Sequence, residues 1–315
     1  MKAMLIEKET MVWSDVPKPD IREDEVLVRV VAAGVNRADV LQVAGRYPSP
    51  EGCPDWPGLE ISGVIEAVGA AVTRWTVGDR ICALLGGGGY AEYVAVKEDM
   101  CLPIPKGFSM EEAAGILEVF TTAYLDLFIE GQLKAGETAY IPAGASGLAG
   151  AAIPLAKAFG ARVITTVRAR ENTAAVAALP ADLVLVDEPL PEGESIDVAM
   201  DCLGGAPMAD ALAHMNRGGR WVLVSTLAGV TSEIPLRAVL TKGLTIKGST
   251  LRSRTPAFKA GLLAKLHEQV WPLLENGTIR PHIDRVLPME QAAQAHAIMV
   301  RGEHTGKMIL KKDEA

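Results

Sequence analysis

Soft metal ligands are scarce in this chain. Four cysteines (Cys53, Cys82, Cys101, Cys202) and five histidines (His214, His267, His282, His296, His304) are scattered over 315 residues. No CxxC pair occurs, so neither a zinc knuckle nor a disulfide framework is indicated. HExxH and GxSxG are also missing, which leaves zincin and serine-nucleophile chemistry without sequence support. No apolar run reaches the roughly 18 residues of a membrane span. No opening segment joins a basic start to an apolar core and a small-residue cleavage site, so a cytoplasmic protein is expected. Basic clusters are lacking as well. The net charge is −8, which argues against a nucleic-acid partner. Internal repeats and low-complexity stretches are absent.

What remains is an ordinary globular composition, 49% hydrophobic and 22% charged, with length enough for two domains. The first third reads as β-structure. MKAMLIE is followed by VLVRVVAAG, and the acidic stretch 20–25 between them suits a hairpin turn. GVNRAD (34–39) opens a short helix or loop, and the Pro- and Gly-rich stretch 45–58 reads as a surface loop. PGLEISGVIEAVG (57–69) alternates small and apolar residues, as a tightly curved barrel strand does. Further strands fall at 77–84 and 90–96, around four consecutive glycines. At Ser109 the pattern turns helical, with an N-cap serine and acids in the first turn. Beyond it, short buried-looking strands at 181–186, 196–202 and 220–225 alternate with helices, the signature of a parallel, doubly wound α/β sheet. TIKGSTLR (245–252) is its last strand. A helix over 257–274 and a helix–strand over 290–310 close the chain.

The centre of the chain is TAYIPAGASGLAG (138–150), an apolar strand, a glycine-rich turn and a small-residue helix, followed by the strand RVITTV (162–167). In such a unit a diphosphate lies on backbone N–H groups at a helix N-terminus, where side chains would block it. Gly144 and Gly147 remove those side chains, Ala145, Ser146 and Leu148 complete the turn, and Ala149 stands in the third glycine position. Ser146 holds the second, so a plain strand-to-helix connection stands as the alternative. An NAD site carries an acid about 20 residues past the glycines. Here Arg168 and Arg170 stand there, suited to a 2′-phosphate through charge-assisted bonds; two solvated surface arginines are the other reading.

GVNRAD, GRYPSP, PGLEISGVIEAVG, VTRWTVGDRICALLGGGGYAEYVAV, GASGLAG, DCLGG, GGRWVLV and STLRSR, taken in order over essentially the whole chain, resemble the zinc-independent quinone oxidoreductases of the medium-chain dehydrogenase/reductase superfamily. The likeness is greatest to the branch named for the tumour-suppressor-inducible quinone oxidoreductase, with zeta-crystallin more distant. It implies a GroES-like catalytic barrel over 1–113, an inserted Rossmann NADPH-binding domain over 114–252, and a return to the catalytic domain over 253–315. It also implies a homodimer joined through the edge strand 245–252. NADPH contacts carried over by resemblance fall at Tyr47, Thr122, Gly204, Ser225, Thr226, Thr250, Leu251 and Arg252, with the nicotinamide in the cleft between domains. Asn36 and Tyr47 are the candidates for hydrogen bonding to the quinone oxygen, against readings as a helix cap and a loop aromatic.

Alcohol dehydrogenases of the superfamily place a zinc-binding Cys and a His just after the first glycine, where this chain reads GVNRAD; their four-cysteine lobe is missing too. No metal is therefore expected. A substrate that accepts hydride unaided, a quinone or an α,β-unsaturated carbonyl, fits. The competing readings are an NADPH-dependent enone or alkenal reductase and a cofactor-binding structural or RNA-binding protein with little turnover. The family's helix between the strands near 186 and 196 is replaced by EPLPEGES, whose two prolines and glycine forbid it.

Overall fold

The computed structural model describes residues 1–168 and 178–312. The chain divides into two compact units, Met1–Thr121 with Arg252–Ala315, and Thr122–Leu251.

In the first unit, β1 (Lys2–Glu7) and β2 (Thr10–Asp15) form an antiparallel ribbon. The turn is Lys8-Glu9, both at positive φ, not the acidic stretch 20–25. That stretch instead leads into β3 (Glu25–Gly34), which pairs with β4 (Glu60–Val68) and β6 (Tyr93–Lys97). The sheet is completed by β5 (Arg80–Leu84), β7 (Cys101–Pro103), β14 (Ile283–Pro288) and β15 (Lys307–Lys311), in the order β14-β15-β3-β4-β5-β7. The alternation of small residues in β4 has a steric cause: a Cβ on Gly63 would lie 2.3 Å from the carbonyl oxygen of Arg29 on β3. Only glycine lets the two strands approach where the sheet curves.

Around this sheet lie α1 (Arg37–Val43) and α2 (Met110–Ala113). Ser109 caps α2, its Oγ accepting from the Glu112 amide while the Glu112 carboxylate accepts from the Ser109 amide. Next in the chain is α3 (Leu117–Tyr124). The helix expected over 257–274 is broken. Pro272, which has no N–H to continue the ladder, starts a separate short helix, and the result is α7 (Pro256–Gln269) and α8 (Trp271–Glu275). α9 (Ala292–Arg301) precedes β15.

The second unit is a six-stranded parallel sheet, order β10-β9-β8-β11-β12-β13. Its strands are β8 (Thr138–Ile141), β9 (Arg162–Val167), β10 (Leu183–Val186), β11 (Ile196–Asp201), β12 (Met215–Leu223) and β13 (Thr245–Gly248). The helices described are α4 (Gly147–Ala158), α5 (Gly205–Leu212) and α6 (Leu236–Lys242). Strand order reverses between β8 and β11, the switch point at which doubly wound sheets take their ligands. Tyr140, Ile164, Ile196, Leu212 and Trp221 pack one core of the unit, and the Trp221 indole N–H donates to Asp201. The last strand is shorter than expected: pairing with β12 stops at Gly248. Residues 187–195 form no helix, as their prolines require.

Candidate active site

The glycine turn lies at the end of β8, beside the switch point. Ala143 takes a left-handed conformation (φ 57°), the Gly144 amide donates to the Thr166 carbonyl at 2.8 Å, and Ser146 becomes the N-cap of α4. The Ser146 hydroxyl accepts from the Ala149 amide at 3.1 Å, and its carbonyl accepts from the Gly150 amide. The amides of Gly147 and Leu148, first in the helix, have no carbonyl four residues back to bond within it. They head a 12-residue helix whose dipole puts partial positive charge at that end. Ala145, Ser146, Gly147 and Leu148 are all partly open to solvent. Bare amides, a hydroxyl and no acid make a cradle that fits a diphosphate.

The other cofactor candidates fall as follows. Arg168 is exposed just past β9, whereas Arg170 lies outside the described residues. The Gly204 amide donates to Asp201, and a Cβ there would meet the Gly229 carbonyl at 2.9 Å; close backbone approach explains this glycine without a ligand. Ser225 is half-buried and Thr226 exposed after β12. Thr122 is buried on α3, Thr250 is exposed and Leu251 buried.

The first unit gathers a polar knot around a buried ion pair. Lys307 on β15 donates to Glu60 Oε1 at 2.6 Å, to Asn36 Oδ1 at 2.8 Å and to the Val35 carbonyl at 3.0 Å. Asn36 Nδ2 donates to the same Glu60 oxygen at 3.0 Å, while Glu60 Oε2 accepts the Glu118 amide at 2.9 Å. Asn36 stands at the N-cap position of α1, but its side chain is turned into this knot; the helix start is tied by Asp39, whose carboxylate accepts the Asn36 amide at 2.8 Å. Asp39 also accepts from the Gly58 amide and the Tyr90 hydroxyl, both at 3.0 Å. Burial pushes the Asp39 carboxyl up to about 6, against the pull of those donors.

Arg252 clamps the neighbouring loops. Its guanidinium donates to the carbonyls of Gly86 (2.7 Å) and Tyr47 (3.1 Å), to Gln42 Oε1 (2.8 Å) and to Ser49 Oγ (3.2 Å), and it lies over the Tyr47 ring at 5.1 Å. Glu118, in the first turn of α3, is half-buried. Burial, then the nearby Glu60 charge, raises its carboxyl to about 8. Burial and the Glu118 charge also raise the Tyr47 hydroxyl, and burial lowers the Lys259 ammonium.

The structure thus sets Asn36 in a knot with Glu60 and Lys307, pairs Tyr47 with Arg252, and sets the turn residues 144–148 together at the head of α4. Glu60, Glu118, Lys259 and Lys307 were missed by the sequence reading. Their signal was charge inside apolar sequence: Glu60 in a barrel strand, Glu118 at the start of a buried helix, Lys307 before MIL. Among the described residues, no group of three or more His, Cys, Asp or Glu side chains is arranged to hold a metal ion, and no helix is long and apolar enough to cross a membrane.

A GroES-like barrel in one chain with a doubly wound parallel sheet, its glycine turn at the switch point, defines an oxidoreductase of the medium-chain dehydrogenase/reductase class. Two family models match, the alcohol dehydrogenase GroES-like domain over residues 22–106 and the zinc-binding dehydrogenase over 177–310. Among similar proteins, the quinone oxidoreductase of Sus scrofa is 33% identical over 309 residues, covering 94% of this chain and 92% of its own. That of Homo sapiens is 30% identical at the same coverages. The solved quinone oxidoreductase of Thermus thermophilus, also determined with NADPH, superposes with a TM-score of 0.85 at 31% identity, over 99% of this chain and 100% of that one. The chain belongs to the quinone oxidoreductases of this superfamily.

Proposed function

We propose that this protein reduces quinones with NADPH, by hydride transfer and without zinc. The observation that carries the reading is the Lys307 ammonium. At the GVNRAD corner, the stretch where the zinc-dependent alcohol dehydrogenases carry a Cys and a His, the oxygen acceptors Glu60 Oε1, Asn36 Oδ1 and the Val35 carbonyl already surround a buried cation. A metal ion would have to displace it and would find no thiolate or imidazole there.

The turn 144–149 and the head of α4 would hold the diphosphate, and Arg168 the 2′-phosphate. When bound, the nicotinamide supplies the hydride, and the protein's task is positioning and exclusion of water. Tyr47 is the residue offered to the quinone oxygen. Arg252 fixes the Tyr47 backbone and flanks its ring, so that the hydroxyl is presented from a braced loop. Asn36, with its side-chain oxygen engaged by Lys307 and its amide by Glu60, holds the buried knot together. An acceptor that spreads incoming charge by conjugation needs no Lewis acid.

A homodimer through the edge strand β13 accords with the apolar side chains exposed in the second unit, Val230, Leu236, Leu240 and Ile246. The function is tested by following NADPH oxidation with a small ortho-quinone, an alkenal and a ketone, before and after exhaustive chelation. Quinone turnover unaffected by chelation is expected. Turnover confined to the alkenal, or restored only by zinc, rejects the reading.

A further inference from the structure

We propose that Gln42 is a positioning residue of the quinone site: the order in which its side-chain amide donates and accepts fixes the loop 45–58 and, through Arg252, the place of Tyr47. The inference rests on the quinone reductase reading, in which Tyr47 meets the substrate, and names the residue that holds that tyrosine.

The loop 45–58 joins α1 to β4 and contains neither helix nor strand. Among the described residues, no amide from 47 to 52 donates to a backbone carbonyl. A segment without a backbone ladder keeps one conformation only if side chains hold it. Gln42, on α1 and only 5% exposed, supplies that hold. Its Nε2 donates to the Asp55 carbonyl at 2.7 Å and to Ser49 Oγ at 2.9 Å, and its Oε1 accepts from the Arg252 guanidinium at 2.8 Å. The partners dictate the orientation of the amide, because a guanidinium can only donate and a carbonyl can only accept. Turned over, the amide would set oxygen against the Asp55 carbonyl and N–H against the N–H groups of Arg252.

Both limbs of the loop are tied to this one residue. The backbone carbonyl of Gln42 accepts the Gly45 amide at 2.9 Å, while its side chain takes Ser49 and Asp55. Ser49 Oγ accepts from Arg252 as well, at 3.2 Å, and donates to the Pro54 carbonyl at 2.8 Å. Three residues earlier on the same face of α1, Asp39 accepts the Gly58 amide. Arg252 carries the hold to Tyr47, donating to its carbonyl at 3.1 Å and lying over its half-buried ring. The side-chain oxygen and both N–H groups of Gln42 are engaged inside the protein, so its effect on the reaction passes through Tyr47.

The test uses the full-length protein with two variants. Gln42→Glu keeps the shape and the acceptor for Arg252 but loses both donors to the loop; Gln42→Leu loses all three bonds. In protein labelled with fluorotyrosine, the Tyr47 fluorine resonance, assigned through Tyr47→Phe, should be a single narrow line in wild type and broaden or split in both variants. The lines of Tyr90, Tyr93, Tyr124 and Tyr140 should stay in place, which certifies the fold; if Gln42→Leu does not fold, Gln42→Glu decides. With NADPH and a small ortho-quinone, each variant should lower kcat/KM by up to about 100-fold, the loss that a displacement of about 1 Å can cause. In a Tyr47→Phe background the same substitutions should cost nothing further, because a positioning residue and the group it positions do not add. Losses that multiply in that background, or a Tyr47 line unaltered by either variant, overturn the assignment. A wild-type protein that reduces no quinone while its Tyr47 line depends on Gln42 would fault the functional reading instead, so the two failures are distinguishable.

Discussion

The Nζ of Lys307 lies 2.6 Å from Oε1 of Glu60, with the two side chains only 4% and 1% exposed. This pair joins the C-terminal strand β15 to β4 across 247 residues of sequence. Removing one partner leaves the other charge buried and uncompensated, which costs about 3–5 kcal/mol, whereas removing both can be nearly neutral. Lys307→Met should therefore destabilise strongly, and the double variant Glu60→Gln/Lys307→Met should recover most of the loss. Denaturant midpoints measure both; equal losses would show that the pair is not coupled.

Arg168 carries the expected discrimination between cofactors. A hydrogen bond to a charged group is worth about 1.5–3 kcal/mol, or roughly 10–100-fold in affinity. Arg168→Ala should raise the NADPH dissociation constant by that factor and leave NADH unchanged, and adding Arg170→Ala should extend the effect. Fluorescence titration with each cofactor reads the difference. Equal weakening of both cofactors would place the arginine away from the 2′-phosphate.

Much of this was legible in sequence because it is local. Strand, turn and helix at 138–158 follow from apolar runs around Gly144, Ser146 and Gly147, and Ser109 with Glu112 marks a helix start three residues apart. The GVNRAD corner was legible as a site, but not what Asn36 does there. Its partners Glu60 and Lys307 lie 24 and 271 residues away, and nothing local encodes that meeting. For the same reason the partners of the Arg252 guanidinium, Gln42, Tyr47, Ser49 and Gly86, could not be read locally. The hairpin at Lys8-Glu9 was missed because neither residue advertises a left-handed turn. The break before Pro272 was overlooked for a simpler reason, since a proline in the first turn of a helix fits as well as one that ends it.

The edge strand offers a third prediction. Leu236 and Leu240, 72% and 81% exposed, are one helical turn apart on α6, and Ile246 on β13 is 38% exposed. Burying such a surface and pairing an open strand edge would both favour a twofold assembly. Leu240→Glu with Ile246→Glu should convert a dimer to a monomer by light scattering while leaving the melting of the monomer little changed. A wild-type protein that is monomeric at all concentrations would remove this interface.

Two buried groups on Tyr90 give a pH signature of opposite signs. The Tyr90 hydroxyl donates to Asp39 at 3.0 Å and lies 3.3 Å from His296 Nε2. Burial lowers His296 to about 4 and raises Asp39 to about 6. Between pH 4 and 6.5 the unfolded chain protonates the histidine while the folded chain does not, so this group makes stability rise with pH. Between pH 4 and 6 the folded chain keeps a proton on Asp39 that the unfolded chain loses, so that group makes stability fall with pH. Each slope is at most about 1.4 kcal/mol per pH unit, and in the wild type they oppose. Substitution separates them: relative to wild type, His296→Gln should lose stability as pH rises from 4 to 6, and Asp39→Asn should gain it. Denaturation midpoints at half-unit intervals would show the two variants diverging in opposite directions. Parallel curves would mean that neither group keeps its buried, neutral state in the folded protein.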